Sequence, residues 1–533
     1  MCCWLRVCVV LLVGGSLAMG AVEGERPLWG PLEPGPYRVG FRAVFLKDNS
    51  RVSVMPGSRA PGREMQISLW YPADSTRASK PFTYGRYVEL LAQSTDFRSL
   101  DAERRKLAQK MFMDEPAELG GDRDDLAAKL PELMQLATAA CEECPESAGR
   151  FPLVVFPEYR APATNSILSE YLASHGCVVG TVGLKGSTEV DYDTGLSGLD
   201  TTATDMGFVV AALSTLPYVD SDRVALIGLG ISGSSALAYQ MKNPSIDAVV
   251  SLDGGITTEF ENRIISRTSH YDRASVDVPL LFITAPHSAL NRSLIDQYAY
   301  SKRYIAHFPK MSEFLFLDYG MLQSRVPRII GTASADAQVG FVWASHYVLN
   351  FLNAHLKGDP DAAQFLARRP EENSVPAGVL EYETKAALSP APTLPRLKAV
   401  IRDNGIAALV SWFNELQKSD PQPVSQDKFG ELFMWLSNKR DADWSIRKSL
   451  AELRLRSFPA SARTQFTAAH AFLQVGDVGR AEEHFKRTLD LLPLDLDPAL
   501  PHELRVSMEQ SCRTQLAKMA GQRKQKPELS LSK

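Results

Sequence analysis

The sequence predicts an α/β protein: a mostly parallel sheet with helices on both faces, a helical insertion ahead of the main sheet, and an all-helical domain at the C-terminal side. Three observations carry that reading. Short continuous apolar runs at 153–156, 178–182, 224–227, 248–252 and 280–284 alternate with segments of helical spacing. Runs of this length without polar alternation fit strands buried on both faces, as in a parallel sheet. Residues 223–239 read Arg-Val-Ala-Leu-Ile-Gly-Leu-Gly-Ile-Ser-Gly-Ser-Ser-Ala-Leu-Ala-Tyr, which is a strand, a glycine-rich turn and a helix. From 397 onward the pattern is helical.

The elements follow in chain order. Residues 37–46 and 65–71 read as two strands forming an antiparallel edge. Residues 86–150 are charged and Leu/Ala-rich, with Leu126, Leu130, Leu133 and Leu136 at helical spacing, and read as an inserted lid. Helices are expected at 166–175, 202–213 and 232–242, a last strand at 314–317, and a long closing helix at 339–356. This main domain covers 25–360. Prolines 360, 370, 376, 390, 392 and 395 mark 361–396 as a linker. A helical domain occupies 397–520, and 521–533 reads as a disordered tail. Within the helical domain, 462–495 fits one tetratricopeptide-like unit. Ala469 and Phe472 fall on its first helix, Gly476 and Asp477 at the turn, Ala481, Phe485 and Leu489 on the second helix, and Pro493 at the close. An unrelated helical hairpin gives the same pattern. One such unit cannot bury its own face, so it must stack on the helices of 397–456.

Composition narrows the function. At 533 residues the chain exceeds one ordinary domain. It is 45% hydrophobic and 23% charged, with a net charge of −4 and no basic tract, which argues against nucleic-acid binding. Arg6, the apolar run 7–13 and Ala18-Met19-Gly20 read as a secretory signal peptide over 1–20, so a secreted or periplasmic location is expected. An uncleaved anchor is the alternative, but the run is short for a span. Cys2, Cys3 and Cys8 fall in that segment; Cys141, Cys144, Cys177 and Cys512 remain. Cys141-Glu-Glu-Cys144 has metal or redox spacing, but no second pair completes a metal site, and a local disulfide is the expectation in an exported chain. No cofactor and no metal are expected.

The turn at 228–232 decides the chemistry. In the pattern Gly-x-Ser-x-Gly, a serine is raised on a strained turn between a buried strand and a helix. Here Gly228 opens the motif, Leu229 follows, and Gly230 takes the nucleophile position. Glycine has no side chain to attack a carbonyl. The stretch keeps what the turn needs and loses what the reaction needs.

Residues 152–356 resemble the dienelactone hydrolase and plasma-type platelet-activating-factor acetylhydrolase group of α/β-hydrolases. The resemblance rests on Pro152-Leu-Val-Val-Phe156, Glu170-Tyr-Leu-Ala-Ser-His-Gly-Cys-Val-Val179, Asp222-Arg-Val-Ala-Leu-Ile-Gly228, Val249-Val-Ser-Leu-Asp253-Gly-Gly and Ala344-Ser-His-Tyr-Val-Leu-Asn-Phe-Leu352. It implies an α/β-hydrolase fold and assigns roles position by position. The nucleophile falls on Gly230 and the catalytic acid on Asp253. The histidine precedes a Phe-x-Asp, and matching that to Phe316-Leu-Asp318 places it on Glu313. The oxyanion loop has Glu158-Tyr159 where His-Gly is usual, and Leu229 flanks the nucleophile position. A carboxylate there opposes a developing negative charge.

Two readings of function stay open from these residues. One is a catalytically impaired pseudo-hydrolase that binds a small ester or lipid-like ligand in the old pocket, or a protein partner through the helical domain. The other is an active carboxylic-ester or lipid-ester hydrolase. It would use Ser232, inside Gly230-Ile-Ser232-Gly-Ser234, as a displaced nucleophile, with His287 or His307 as base and Asp253 orienting it. Ser232 also reads as a helix N-cap and His287 as an ordinary loop histidine. A pure scaffold is the third option.

Overall fold

Ten strands, counted among the described residues, join into one sheet whose middle is parallel. A computed structural model describes residues 28–525 apart from 56–57, 75–81, 95–96, 270, 288, 332, 389, 438–442, 496 and 498–499. The expected signal peptide and residues 526–533 of the expected tail lie outside the described residues. The start of that tail, 521–525, instead continues the helix His502–Gln525.

The strands are β1 (Arg38–Val52), β2 (Pro61–Ala73), β3 (Ala140–Glu142), β4 (Phe151–Val155), β5 (Val178–Val182), β6 (Val219–Leu229), β7 (Ala248–Leu252), β8 (Leu280–Thr284), β9 (Arg303–His307) and β10 (Glu381–Lys385). Their order is β10-β9-β8-β7-β6-β4-β5-β2-β1-β3. The run β9 to β5 is parallel throughout; β2 meets β5 and β1 antiparallel. Successive residues of a strand point to opposite faces, so the central strands feed two cores. Val154, Ile227, Val250 and Leu281 join one core with the closing helix Ala337–Leu356. Val155, Leu226, Val249 and Phe282 join the other with the helices Leu196–Leu213 and Ile231–Lys242. Burial on both faces is why these strands read as continuous apolar runs.

Three expectations about the sheet are corrected. The hairpin β1–β2 is not the outer edge, because β3 pairs parallel with β1 beyond it, inside the segment expected to be helical lid. Residues 314–317 are not the last strand: Glu313–Phe316 form a 3₁₀ turn whose Leu315 and Phe316 are buried in the first core. Burial, not strand geometry, explains their apolar character. The strand that fills that place is β9, flanked by Arg303 and His307, which break the apolar run. Finally, 361–396 is not a linker. Pro360 opens the helix Pro360–Ala367, a position where its missing N–H costs nothing. Then β10 pairs antiparallel with β9 and completes the sheet. Its sequence, Glu-Tyr-Glu-Thr-Lys, is mostly exposed and carries no apolar signal.

The insertion supplies the helices Tyr84–Leu90, Ala102–Glu118 and Arg123–Leu133. The C-terminal region is helical: Leu394–Leu416, broken at Gly405 (φ +80°), then Gln426–Ser437, Trp444–Ser457, Ala462–Gln474, Val478–Leu491 and His502–Gln525. It docks on the sheet domain through Lys428–Asp272 (2.7 Å) and Arg273–Asp420 (2.8 Å), beside an apolar contact of Ala274, Tyr300, Ala391 and Leu416.

One buried carboxyl ties the site loop to the sheet. Asp318 follows the 3₁₀ turn Glu313–Phe316 and is fully buried. Its Oδ2 accepts from Ser166 N (2.9 Å) and Ser166 Oγ (2.6 Å), and its Oδ1 accepts from Ile167 N (3.0 Å), capping the helix Ser166–Ser174 from a distance. Replacing it leaves those amides unsatisfied inside the protein. Asp318→Ala is expected to cost about 2 kcal/mol in urea unfolding, at the upper end of a helix-cap loss; no change in midpoint would show that the cap is replaced by other groups.

Candidate functional site

The turn between β6 and the helix Ile231–Lys242 consists of Gly230, at φ +52° and ψ −128°. This backbone conformation strains any residue with a side chain, and in a working hydrolase the strain lifts the nucleophile above the sheet. The turn is braced by the one after β7. Gly230 N donates to Leu252 O (3.1 Å), and Gly255 N donates to Gly230 O (3.0 Å). A Cβ on Gly254 would stand 2.3 Å from the Gly230 Cα, so a glycine is required at 254 by this approach, while Gly255 is at φ +82° with a Cβ there 2.7 Å from Ser251 Oγ.

Asp253 ends β7 at φ +42°, with its Oδ1 accepting from Ala285 N (2.8 Å). Glu313 lies across from the turn. A Cβ built on Gly230 would come within 2.7 Å of Glu313 Oε1, so a carboxyl tip stands against the place where a nucleophile's side chain begins. Glu158 follows β4 and is 3% exposed. Its Oε1 accepts from Tyr159 N (2.6 Å), so its own carboxyl consumes an amide of the loop that supplies an oxyanion donor in such folds.

These groups face one cavity of about 810 Å³. Seven of the residues expected at the site line it: Glu158, Tyr159, Leu229, Gly230, Asp253, His287 and Glu313. Ser232 does not. It is fully buried in the first turn of its helix, and its Oγ donates to Leu229 O (2.8 Å). It is not an N-cap either, since Gly230 occupies that position. His307 is buried on β9 with Nδ1 3.0 Å from Thr284 Oγ1 and does not line the cavity. Leu229 and Tyr159 form wall rather than chemistry.

Sequence reasoning missed part of the site. Glu115 and Glu118 come from the insertion, and Tyr192 and Thr194 from the loop before the helix Leu196–Leu213. Nothing in a generally charged insertion singles out one glutamate. Glu261 was findable: Thr258-x-x-Glu261 is a capping box, and the helix Glu259–Ile265 begins with it, presenting Glu261 to the cavity.

The electrostatics are one-sided. Burial, with Glu115 and Glu313 nearby, pushes Glu158 up to about 8. Burial, with Asp253 and Glu261 nearby, pushes Glu313 up to about 8. Burial likewise raises Glu261 to about 7 and Asp253 to about 6, and raises Glu115, whose Oε2 accepts from Tyr319 OH (2.6 Å). No lysine or arginine is among the described residues lining the cavity. No group of three or more metal-ligating side chains gathers among the described residues.

The strand-turn-helix at Gly230, the parallel sheet and the acid at the end of β7 settle the architecture. This is an α/β-hydrolase fold. No family model and no curated protein matches the chain. Solved structures to which it is similar include a ferulic acid esterase from Streptomyces cinnamoneus, at 18% identity and a TM-score of 0.48, covering 66% of this chain and 98% of that one.

Two outcomes follow from the geometry. Glu158 and Glu313 lie near 8 when folded against an ordinary 4.5, so their contribution to stability is complete below about 4.5 and is lost as pH rises towards 8. Unfolding free energy is expected to fall across that window and level off above it; a rise across it in urea titrations would mean the carboxyls are ionised and paired. Gly230→Ala is expected to cost about 1–3 kcal/mol, from strain at positive φ plus the Glu313 contact. Adding Glu313→Ala should recover part of that loss, and a full loss in the double variant would assign it to backbone strain alone.

Proposed function

We propose that this protein is a pseudo-hydrolase: an α/β-hydrolase fold that has given up covalent catalysis and keeps its pocket for binding. The observation that carries the reading is the Glu313 carboxyl against Gly230. A glycine stands where the nucleophile belongs, and an acid stands where the general base belongs. A serine hydrolase needs a base that takes the serine's proton and an oxyanion hole that receives the charge. A protonated Glu313 cannot take that proton, and Glu158 holds the Tyr159 amide. Losing triad members lowers turnover by roughly 10⁴ to 10⁶.

The displaced-nucleophile alternative has less support. Ser232 is enclosed and its hydroxyl is engaged with Leu229 O, away from the cavity that holds His287. Bringing it to the sheet edge would require unwinding the first turn of its helix.

The narrower likeness to dienelactone hydrolases and plasma-type platelet-activating-factor acetylhydrolases belongs to this proposal, as does export. The Cys141–Cys144 disulfide supports an oxidising compartment. A tetratricopeptide-like unit at 462–495, offered to a protein partner, is part of the same reading. Its support is the burial of Ala469, Phe472, Ala481 and Phe485 together, with Gly476 at positive φ and Asp477 capping the second helix. Cys512 from the last helix joins that cluster, which gives the hairpin the stacking neighbour it needs.

The test is direct. Purified protein should hydrolyse short p-nitrophenyl esters no faster than buffer and take no label from a fluorophosphonate probe in intact-mass spectra. Labelling lost in Ser232→Ala would overturn the proposal. Gly230→Ser alone should leave the protein unreactive, because a serine without a base is a weak nucleophile. Gly230→Ser with Glu313→His should give the first measurable labelling.

A further inference from the structure

Carboxyl groups line the cavity from four directions, and their surroundings point to one kind of occupant. Glu158 comes from the loop after β4, Asp253 from the end of β7, Glu261 from the helix Glu259–Ile265, and Glu313 from the 3₁₀ turn after β9. Glu158 is 3% exposed, faces the cavity, and is held by its neighbouring backbone amide with no ion pair among the described residues. Glu313 has no hydrogen-bond partner among the described residues. Carboxyls without a cationic partner are costly to ionise where they are largely buried, and the cost falls when a cation enters. The remaining walls are apolar and aromatic, with Tyr159, Tyr192 and Phe314 inside and Phe260 exposed at 57%. Aromatic faces with nearby carboxylates are the surroundings in which proteins hold organic ammonium ions.

We propose that the cavity receives a cationic amphiphile, an organic ammonium ion whose head lies between Glu158 and Glu313 and whose apolar body lies on Tyr159, Tyr192 and Phe260. This rests on reading the site as a binding pocket, and it replaces the neutral ester expected from the resemblance with a charged ligand. A hydrolase that binds esters aims hydrogen-bond donors at the carbonyl. This cavity presents carboxyls, which become pure acceptors on ionisation. Ligand entry is coupled to protonation. Glu313 is faced by Asp253 and Glu261, and Glu158 by Glu115 and Glu313. His287 also lines the cavity; Arg160 stacks on the Tyr159 ring at 4.3 Å but does not line it. An ammonium ion between the two glutamates favours their ionised forms, so binding near neutral pH releases protons and strengthens as pH rises.

The test is calorimetry on the full chain with n-octylammonium, octan-1-ol and octanoate as probes, at about pH 6 and about pH 8.5, in buffers of different ionisation heat. Octylammonium is expected to bind saturably and at least about tenfold more tightly at the higher pH, with a buffer-dependent heat near pH 7. Octanol should bind weakly and octanoate not at all. Glu158→Gln and Glu313→Gln should each lower octylammonium affinity about tenfold or more, while Glu383→Gln, on the exposed strand β10 and outside the cavity wall, should change it little. Near-UV circular dichroism on each variant checks that the fold is kept. Octanol binding as tightly as octylammonium, an affinity that ignores pH, or glutamine variants that bind like the parent would each overturn the proposal. A fluorophosphonate run on the same sample separates the two readings. Labelled protein sinks the pseudo-hydrolase; unlabelled protein that ignores octylammonium sinks only the cationic ligand.

Discussion

The backbone of Gly230 rests against the backbone of Gly254 and Gly255, and the site is built around that contact. It leaves no room for a side chain at Gly254 and ties the turn after β6 to the turn after β7 through the Gly255 amide. Asp253 precedes the contact and is thrown to positive φ by it, facing the cavity rather than the sheet. Gly228 is held as tightly, since a Cβ there would stand 2.3 Å from Ser232 C. The turn therefore holds its shape with a glycine at its apex, through backbone contacts alone.

What distinguishes the pocket is its charge. In a working hydrolase a histidine faces the nucleophile and an acid orients the histidine, so the pocket holds one negative charge and one titrating base. Here the residues facing the cavity include Glu115, Glu158, Asp253, Glu261 and Glu313. Burial is the larger cause of their raised values; beside it, Glu115 and Glu313 raise Glu158, Asp253 and Glu261 raise Glu313, and Asp253 raises Glu261. Such a site holds part of its carboxyls protonated near neutral pH and gains negative charge when a cation supplies the compensating charge. The one-sidedness is the property an ester pocket would not need and a cation pocket would.

The sequence made the central fold legible because strands buried on both faces leave no ambiguity of period. The runs 178–182, 248–252 and 280–284 coincide with β5, β7 and β8. Strands that lie nearer solvent or carry charge were illegible: β9 is bracketed by Arg303 and His307, and β10 has exposed glutamates on an outer edge. The stretch 314–317 was misread because burial alone gives the same apolar signature as a strand. At the site, Gly230, Asp253, Glu158 and Glu313 could be placed because each sits at a fixed offset from a buried strand or from Phe316-Leu-Asp318. Glu115 has no such anchor. It reaches the cavity from the insertion, where only the tertiary approach of Tyr319 distinguishes it from its charged neighbours.

The two appended parts of the chain relate to the cavity differently, and that difference assigns them different work. The insertion lends Glu115, Glu118 and Leu119 to the wall, so it shapes what enters. Among the described residues, none of the C-terminal helices lines the cavity. They attach through the segment after the helix Glu259–Ile265, where Lys428 is buried against Asp272 and also donates to Pro392 O (3.0 Å). A buried lysine leaves an uncompensated charge if its partner moves, so this joint resists sliding more than a purely apolar one would. The helix Glu259–Ile265 carries Glu261 into the cavity at its start and leads at its end to Asp272 and Arg273, which hold the helical region. That helix therefore joins a carboxyl of the pocket to the contacts that hold the helical region.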